Sequence, residues 1–360
     1  MRRFLIITLI FFPSIFFAQV QKGFDREEYL EVLRMTSRQG DSTFFKKVEA
    51  PKVWKRLYRS PVVGLDNRWD LWQHQYDGVV SINLRGTTPS SSSWLANFYS
   101  GMIPAKGQIA IADGVTQKYD LADHPQACVH AGWTVGMAHL LPTVLHQIDS
   151  CYKAGVRDLL VVGHSQGGAL AILMTAQLRK MKENGKLPSD MRIKTYASAA
   201  PKPGNLYFAY DYEASNFGWA FTVVNSADWV PETPISVQTI DDFNNVNPFK
   251  NVEPMLAQQK WTTRLFVKKA YKDMNKPTIE ARSAYKKYLG NTAGDFVLKT
   301  LPYHRIPELK DCFHYVRCGI PVVLYGKADY FKEFPDDPNK VFIHHMMEPY
   351  IYLTKAMKEN

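Results

Sequence analysis

Cysteine is scarce in this chain, with four residues in 360, Cys128, Cys151, Cys312 and Cys318. Their spacing matches no common zinc site, and no His or Cys pair elsewhere completes one, so no metal is expected. Cys312 and Cys318 could close a short local loop, and three disulfide connectivities or free buried thiols remain open. A fixed-period repeat and a long low-complexity tract are also missing. With 13% aromatic and 22% charged residues, those absences exclude a solenoid and a disordered chain and leave a globular body. Acidic residues are in deficit, 34 against 44 basic, for a formal charge of +10. No nucleic-acid-binding motif accompanies that charge, and none of the common cofactor signatures is present, so neither nucleic acid nor a cofactor is expected.

Long apolar runs are absent except at the start. MRRFLIITLIFFPSIFFA places Arg2 and Arg3 before an apolar stretch from Phe4 to Phe17. This is the form of an export signal occupying residues 1–18, with cleavage after Ala18, and the run is too short for a spanning helix of about 20 apolar residues. The expectation is a secreted or periplasmic protein whose residues 19–360 form one domain, since a chain of this length can bury one sizeable core. Removing residues 1–18 lowers the formal charge from +10 to +8. The excess gathers between Leu256 and Thr300, where ten basic residues face Asp273, Glu280 and Asp295. Such a face could attract anionic lipid or nucleic acid; a solvated helix face is the preferred reading for those charges.

What is there alternates. Val79 to Leu84, Leu159 to Val162, Ile193 to Ala197, Phe221 to Val224 and Ile320 to Tyr325 are short apolar runs of strand character. Thr134 to Lys153 and Ala169 to Met181 carry apolar residues at helical spacing, and Gly185 follows the second as a stop signal. Strand, helix, strand at these intervals predicts βαβ units and a mostly parallel sheet with helices on both faces, an α/β fold.

Between the Leu159 run and the Ala169 helix lies GHSQGG. A serine on a tight strand-to-helix turn stands exposed at the carboxyl edge of the sheet. Its neighbours two before and two after, Gly163 and Gly167, must be small because they crowd each other. The following helix aims free N–H groups at an oxyanion formed there. The stretch thus predicts a nucleophile elbow at Ser165. A serine hydroxyl needs a histidine base and an orienting carboxylate. Asp228, in FTVVNSADWVPETP just beyond a strand, is placed to be the carboxylate, whereas Asp241 and Asp242 look like solvated loop charges. For the base, His344 and His345 follow the last strand, and His314 precedes it; His304 is a further competitor. His164, beside the serine, reads as a locally bonded packing residue.

These motifs resemble those of the class 3 lipases. SINLRGTTPSSSSW looks like the family's strand and Arg-Gly-Ser/Thr turn, and VHAGW like its Val-His-x-Gly-aromatic segment. GHSQGGALA resembles its elbow, TYASAAPKPGN the next strand and loop, VVNSADWVPETP its acid loop, and HHMMEPY its His-bearing segment, in which His345 gives the best register. The resemblance implies an α/β-hydrolase. In it Ser165 would be the nucleophile, Asp228 the acid and His345 the base, with Thr87 and the N–H of Gln166 as oxyanion donors. It implies hydrolysis of a lipid or other carboxylic ester through an acyl-enzyme, with transient contact to a lipid interface. A phospholipase or short-chain carboxylesterase with the same triad is the alternative within enzymes, and a catalytically silent binding protein on the same scaffold is the alternative outside them.

Two departures stand out. Gln166 replaces the more usual Leu, and residues 242–300 form an apparent helical insertion before the last strand. Within it Trp261, Leu265, Phe266, Ala270 and Met274 trace an apolar stripe expected to pack on the body, with insertion in lipid as the alternative. Pro89 to Phe98 occupies the position of a lid.

Overall fold

In a computed structural model, residues 20–40, 47–250 and 252–358 are described; the predicted export signal lies outside them. The first part of the chain comprises α1 (Arg26–Ser37), β1 (Trp54–Arg59), β2 (Trp69–His74), β3 (Val79–Leu84), α2 (Ser91–Phe98), β4 (Met102–Pro104), β5 (Lys106–Ala112), β6 (Val115–Asp120) and β7 (Cys128–His130). The centre holds α3 (Ala131–Lys153), β8 (Asp158–His164), α4 (Gln166–Glu183), β9 (Arg192–Ser198), β10 (Gly204–Asn205), α5 (Leu206–Ser215) and β11 (Ala220–Asn225). Then follow α6 (Val252–Ala257), α7 (Trp261–Tyr285), α8 (Ala293–Thr300), β12 (Tyr315–Val316), β13 (Ile320–Leu324), α9 (Ala328–Glu333) and α10 (Met347–Lys355).

The main sheet has the order β1-β2-β3-β8-β9-β11-β13. From β3 to β13 its neighbours run parallel, and the β1–β2 and β2–β3 pairs are antiparallel. Central strand β8 shows why the pattern reads as an unbroken apolar run. Successive side chains point to opposite faces, and both faces are covered. Leu159 and Val161 join the core that includes α3 and α4, while Leu160 and Val162 join the core built with α1 and α10. All four are buried, each contributing about 1.5–3 kcal/mol of apolar burial.

The predicted strands fall within one or two residues of the observed ones, and the two predicted helices begin three residues earlier than expected. For α3 the reason is a cap: His130 Nδ1 accepts from the Trp133 N–H at 3.3 Å, which supplies a partner for one of the free donors of the first turn. A four-stranded sheet (β12-β10-β7-β4) and the β5–β6 hairpin were not legible in the sequence, because their strands are short or half-exposed.

The insertion forms α6, α7 and α8, joined between the last two by a π-helical stretch, Lys286–Thr292. Its apolar stripe does not pack on the body as expected. Trp261, Leu265, Phe266 and Met274 are exposed, and among the residues of α7 only Tyr285 at its end is buried. All four cysteines are thiols, Cys128 and Cys318 buried and the other two half-buried. Among the described residues no helix is long and apolar enough to cross a membrane.

The tightest constraint in the sheet lies where β8 meets α4. A Cβ on Gly163 would stand 2.1 Å from the Gly167 carbonyl oxygen, and one on Gly167 would stand 2.2 Å from the Leu84 carbonyl oxygen. Both contacts are with backbone and cannot be relieved by a rotamer. Gly163→Ala is therefore expected to destabilise the fold by more than about 3 kcal/mol. Urea denaturation measures this directly, and a midpoint shared with the parent protein would show that the close approach is soft.

Candidate active site

Ser165 sits at the turn with φ 61° and ψ −133°, a left-handed conformation that non-glycine residues adopt only under constraint. Its N–H donates to the Ser198 carbonyl at 2.9 Å, and its own carbonyl accepts from Gly168 N–H at 2.8 Å. These bonds tie the turn to β9 and to the start of α4. The side chain is half-buried, at the carboxyl ends of β8 and its parallel neighbours, where ligands bind in open α/β sheets.

Asp228 follows β11 and is buried. Its Oδ2 accepts from His345 Nδ1 at 2.7 Å and from the Tyr350 hydroxyl at 2.8 Å, and its Oδ1 accepts from the Val230 N–H at 3.0 Å. Burial by itself would raise the carboxyl's pKa. The donors outweigh it, His345 first, and hold Asp228 below the ordinary carboxylate value. With the Nδ1 proton committed to Asp228, the lone pair of His345 is on Nε2.

His345 is also fixed from behind. His164 Nε2 lies 2.7 Å from the His345 carbonyl oxygen, and His164 Nδ1 lies 2.9 Å from Ser198 Oγ. A carbonyl oxygen only accepts, so Nε2 carries the proton and Nδ1 accepts from the Ser198 hydroxyl. Ser198 Oγ in turn lies 2.6 Å from the Tyr29 hydroxyl, which completes the chain by donating. Burial keeps His164 neutral, with its pKa pushed down to about 3. The ring beside the serine thus braces the backbone of His345 and links α1, β8 and β9 to it.

The remaining candidates lie elsewhere. His344 points the other way, bonded to the Tyr330 hydroxyl at 2.7 Å and to Asp336 at 2.8 Å. His304 is buried edge-on to Tyr99. Asp242 caps its own turn through Thr239, and Asp241 pairs with Arg282 at 2.6 Å. His314 immediately precedes β12, in the smaller sheet.

The Arg85–Thr88 loop lies directly against the elbow. A Cβ on Gly86 would be 2.9 Å from the His164 carbonyl oxygen and 3.5 Å from Ser165 Cβ, so only glycine lets Thr87 approach this closely. Arg85 holds the loop by donating to the Asp66 carbonyl at 2.7 Å and to its carboxylate at 2.8 Å, and Thr88 Oγ1 bonds the same carboxylate.

Asn97 had no distinguishing signal in the sequence, yet it joins three parts of this site. Its Nδ2 donates to Thr87 Oγ1 at 3.0 Å, and its Oδ1 accepts from Trp133 Nε1 at 3.0 Å and from Gln166 Nε2 at 2.9 Å. Gln166 Nε2 also reaches the Ser93 carbonyl at 3.2 Å. The residue that departs from Leu is thus buried beneath α2 and pins that helix to the elbow. Above it Trp94 and Phe98 stack at 6.1 Å, and Phe342 lies 6.4 Å from Trp94, 5.3 Å from Trp229 and 5.9 Å from His345. This aromatic rim is apolar and partly exposed. Among the described residues no group of His, Cys, Asp and Glu could hold a metal ion.

A mostly parallel sheet flanked by helices, with a strained serine at the β8–α4 turn and a buried histidine–carboxylate pair, is the α/β-hydrolase fold. Residues 81–238 match the family model described as lipase (class 3). Two curated relatives, both the secreted mono- and diacylglycerol lipase LIP4 of Malassezia restricta, one of them from a named strain, are 28% identical over 155 residues. The match covers 42% of this chain and 46% or 45% of the relative, so the chain spans less than half the length of the curated relatives it matches. Among solved structures, a fungal lipase–inhibitor complex is 19% identical, with a TM-score of 0.45, over 58% of this chain and 74% of that one. The Lip2 lipase of Yarrowia lipolytica is 18% identical, with a TM-score of 0.43, over 60% of this chain and 77% of its own.

Two outcomes follow from the geometry. His130 and His164 are both held neutral by burial, each with its pKa lowered to about 3, against about 6.5 when unfolded. Their contribution to stability is present above pH 6.5 and is lost as pH falls toward 3, because the unfolded chain takes up protons that the folded one excludes. The melting temperature should fall over that range, and less steeply in His164→Asn; equal slopes would exclude His164 from the linkage. Gln166→Leu removes the amide that holds Ser93 and Asn97, so amide hydrogen exchange across residues 91–98 should quicken by about fivefold or more, the loss of one buried bond worth about 1 kcal/mol.

Proposed function

We propose that the protein is a secreted serine hydrolase that cleaves carboxylic esters of lipids, with Ser165 as nucleophile, His345 as base and Asp228 as the acid that orients it. The observation that carries this reading is the 2.7 Å bond from His345 Nδ1 to a buried Asp228, with the His345 carbonyl bonded by His164, the neighbour of a serine held at φ 61°. In the proposed reaction Ser165 Oγ attacks the ester carbonyl while His345 Nε2 takes its proton. The Asp228 carboxylate stabilises the imidazolium. The backbone N–H groups of Thr87 and Gln166 would receive the oxyanion, each worth about 3 kcal/mol. His345 then protonates the departing alkoxide, leaving an acyl-serine that water, activated by the same histidine, hydrolyses.

The lipid preference rests on the rim of Trp94, Phe98, Trp229 and Phe342, whose apolar surface suits a long acyl chain better than an acetyl group. It also accords with the mono- and diacylglycerol lipase activity in the relatives' names. Export rests on the run from Arg2 to Ala18 and on the description of those relatives as secreted. The same rim would meet a lipid interface transiently during turnover. A single domain over residues 19–360, with the insertion as an appendage, is part of this reading.

The test is hydrolysis of p-nitrophenyl esters from acetyl to palmitoyl by residues 19–360. Ser165→Ala and His345→Ala should each lower kcat by at least about 10⁴-fold, while His344→Ala should stay within about tenfold of the parent. A fluorophosphonate should label Ser165 in the parent protein and not in Ser165→Ala. A folded parent that neither turns over any of these esters nor takes the label would return the silent binding protein as the better reading.

A further inference from the structure

Helix α7 stands away from the rest of the protein on most of its surface. Val267, Tyr271, Thr278, Arg282 and Tyr285 mark the side that is half-buried or buried. Tyr271 bonds the Phe249 carbonyl, and Arg282 reaches Asp241 and Thr239. Roughly opposite runs a stripe at spacings of four, four, three and four residues, Trp261, Leu265, Lys269, Lys272 and Lys276, which lies on one face of a helix. All five are exposed. Trp261 is 71% accessible, and on the flank Phe266 is 73% accessible. An unpartnered helix that shows a Trp, a Leu and a Phe in its first two turns and lysines beyond them is costly in water unless something covers it.

The charge says what that partner is. The sequence from Lys260 to Arg282 holds seven basic residues and two acidic ones, Asp273 and Glu280; Arg282 pairs with Asp241 on the half-buried side, and Lys276 lies 3.7 Å from Glu280, an exposed pair that a lipid phosphate can displace. Lysines with long apolar stems beside an indole and a phenyl ring suit an interface with fixed negative charge outside and hydrocarbon beneath. There the stems lie along the acyl boundary and the ammonium groups stay among the headgroups. Nucleic acid would meet the lysines but leave Trp261, Leu265 and Phe266 in water.

We propose that α7 docks the protein on an anionic phospholipid bilayer, with Trp261, Leu265 and Phe266 entering the headgroup region and Lys269, Lys272 and Lys276 pairing with lipid phosphates. The proposal deepens the lipid-ester reading but does not depend on catalysis. The root of the helix gives the docking a direction. The Tyr285 hydroxyl is 3.0 Å from Ser100 Oγ, and the Gly101 N–H donates to the Leu289 carbonyl at 2.9 Å. Both contacts fall just after α2, the helix that carries Trp94 and Phe98. A membrane-bound α7 is therefore anchored at the end of the segment that rims the site.

The experiment is vesicle flotation with residues 19–360. Vesicles of phosphatidylcholine alone are compared with vesicles containing 30% phosphatidylglycerol, at low and high salt. The expected result is binding to the anionic vesicles only, reversed by salt. The charge reversal K269E/K272E/K276E should lower partitioning by at least about 100-fold, since each lysine near such a surface is worth about a factor of five. W261S/F266S should lower it by at least about tenfold. Both variants should hydrolyse a soluble short-chain ester at the parent's rate, which shows that they fold. Ser165→Ala should bind like the parent. If it binds while the parent protein hydrolyses no ester, the docking stands and the hydrolase reading fails. Equal binding to neutral vesicles, no binding to either, or retention on duplex DNA without vesicle binding would each overturn the proposal.

Discussion

The rest of the site depends on one close approach of backbone to backbone. At the end of β8 the chain must reverse into α4 within a residue, and Gly163 comes so near the Gly167 carbonyl that a single methyl group would occupy the same space. This forces Ser165 to positive φ, a conformation disfavoured by about 1–3 kcal/mol. The bonds from Ser165 N–H to Ser198 and from Gly168 N–H back to Ser165 offset that strain. Because the turn is held by β9 as well as β8, the serine's position is a property of the sheet and not of a loop.

That rigidity extends to the histidine by a route in which the serine takes no part. His345 comes from a short 3-10 turn late in the chain, the sort of segment that tolerates local movement. Two sets of bonds remove the freedom. Asp228 and Tyr350 hold the ring side, and His164 holds the carbonyl. Every partner of His164 is itself paired: Ser198 with Tyr29, and His345 with Asp228. A buried network in which each member is satisfied specifies one geometry, whereas a partly satisfied one costs stability. Neutral His164 suits this better than a charged ring would, since an imidazolium could not accept from Ser198.

The parts of the protein that could be read from the sequence are those with a local signature. Strands β3, β8, β9, β11 and β13 announce themselves by short β-branched runs, and the elbow by glycines at fixed offsets from Ser165. The Asp228 loop is marked by Asn225, Asp228, Val230 and Pro231. What could not be read is what joins residues far apart in the chain. Nothing around Tyr29 marks it as the donor to Ser198, and nothing around Asn97 marks it as the amide between Thr87, Trp133 and Gln166, because such bonds leave no periodicity. The apolar stripe of α7 failed differently. Helical spacing identifies a face but not what covers it, and packing on the body was the ordinary assumption. The half-buried side of α7 is instead centred on Val267, Tyr271 and Arg282.

Gln166 and the insertion, the two departures from the family pattern, meet at α2. A leucine after Ser165 would offer α2 only apolar contact, and the helix could slide or lift without leaving a polar group unpaired. Glutamine changes that balance. Its amide is bonded to the Ser93 carbonyl and to Asn97, so lifting α2 would strand buried donors and acceptors, at about 1–3 kcal/mol for each one left unsatisfied. From the other end, Ser100 and Gly101 are tied to Tyr285 and Leu289 of the insertion. A helix fixed at both ends, with Trp94 and Phe98 already outward, presents its apolar rim without first having to open. In this chain the aromatic surface beside Ser165 is a standing feature of the fold, and the division of labour is spatial: α2 shapes the mouth of the site, while α7 carries the charge.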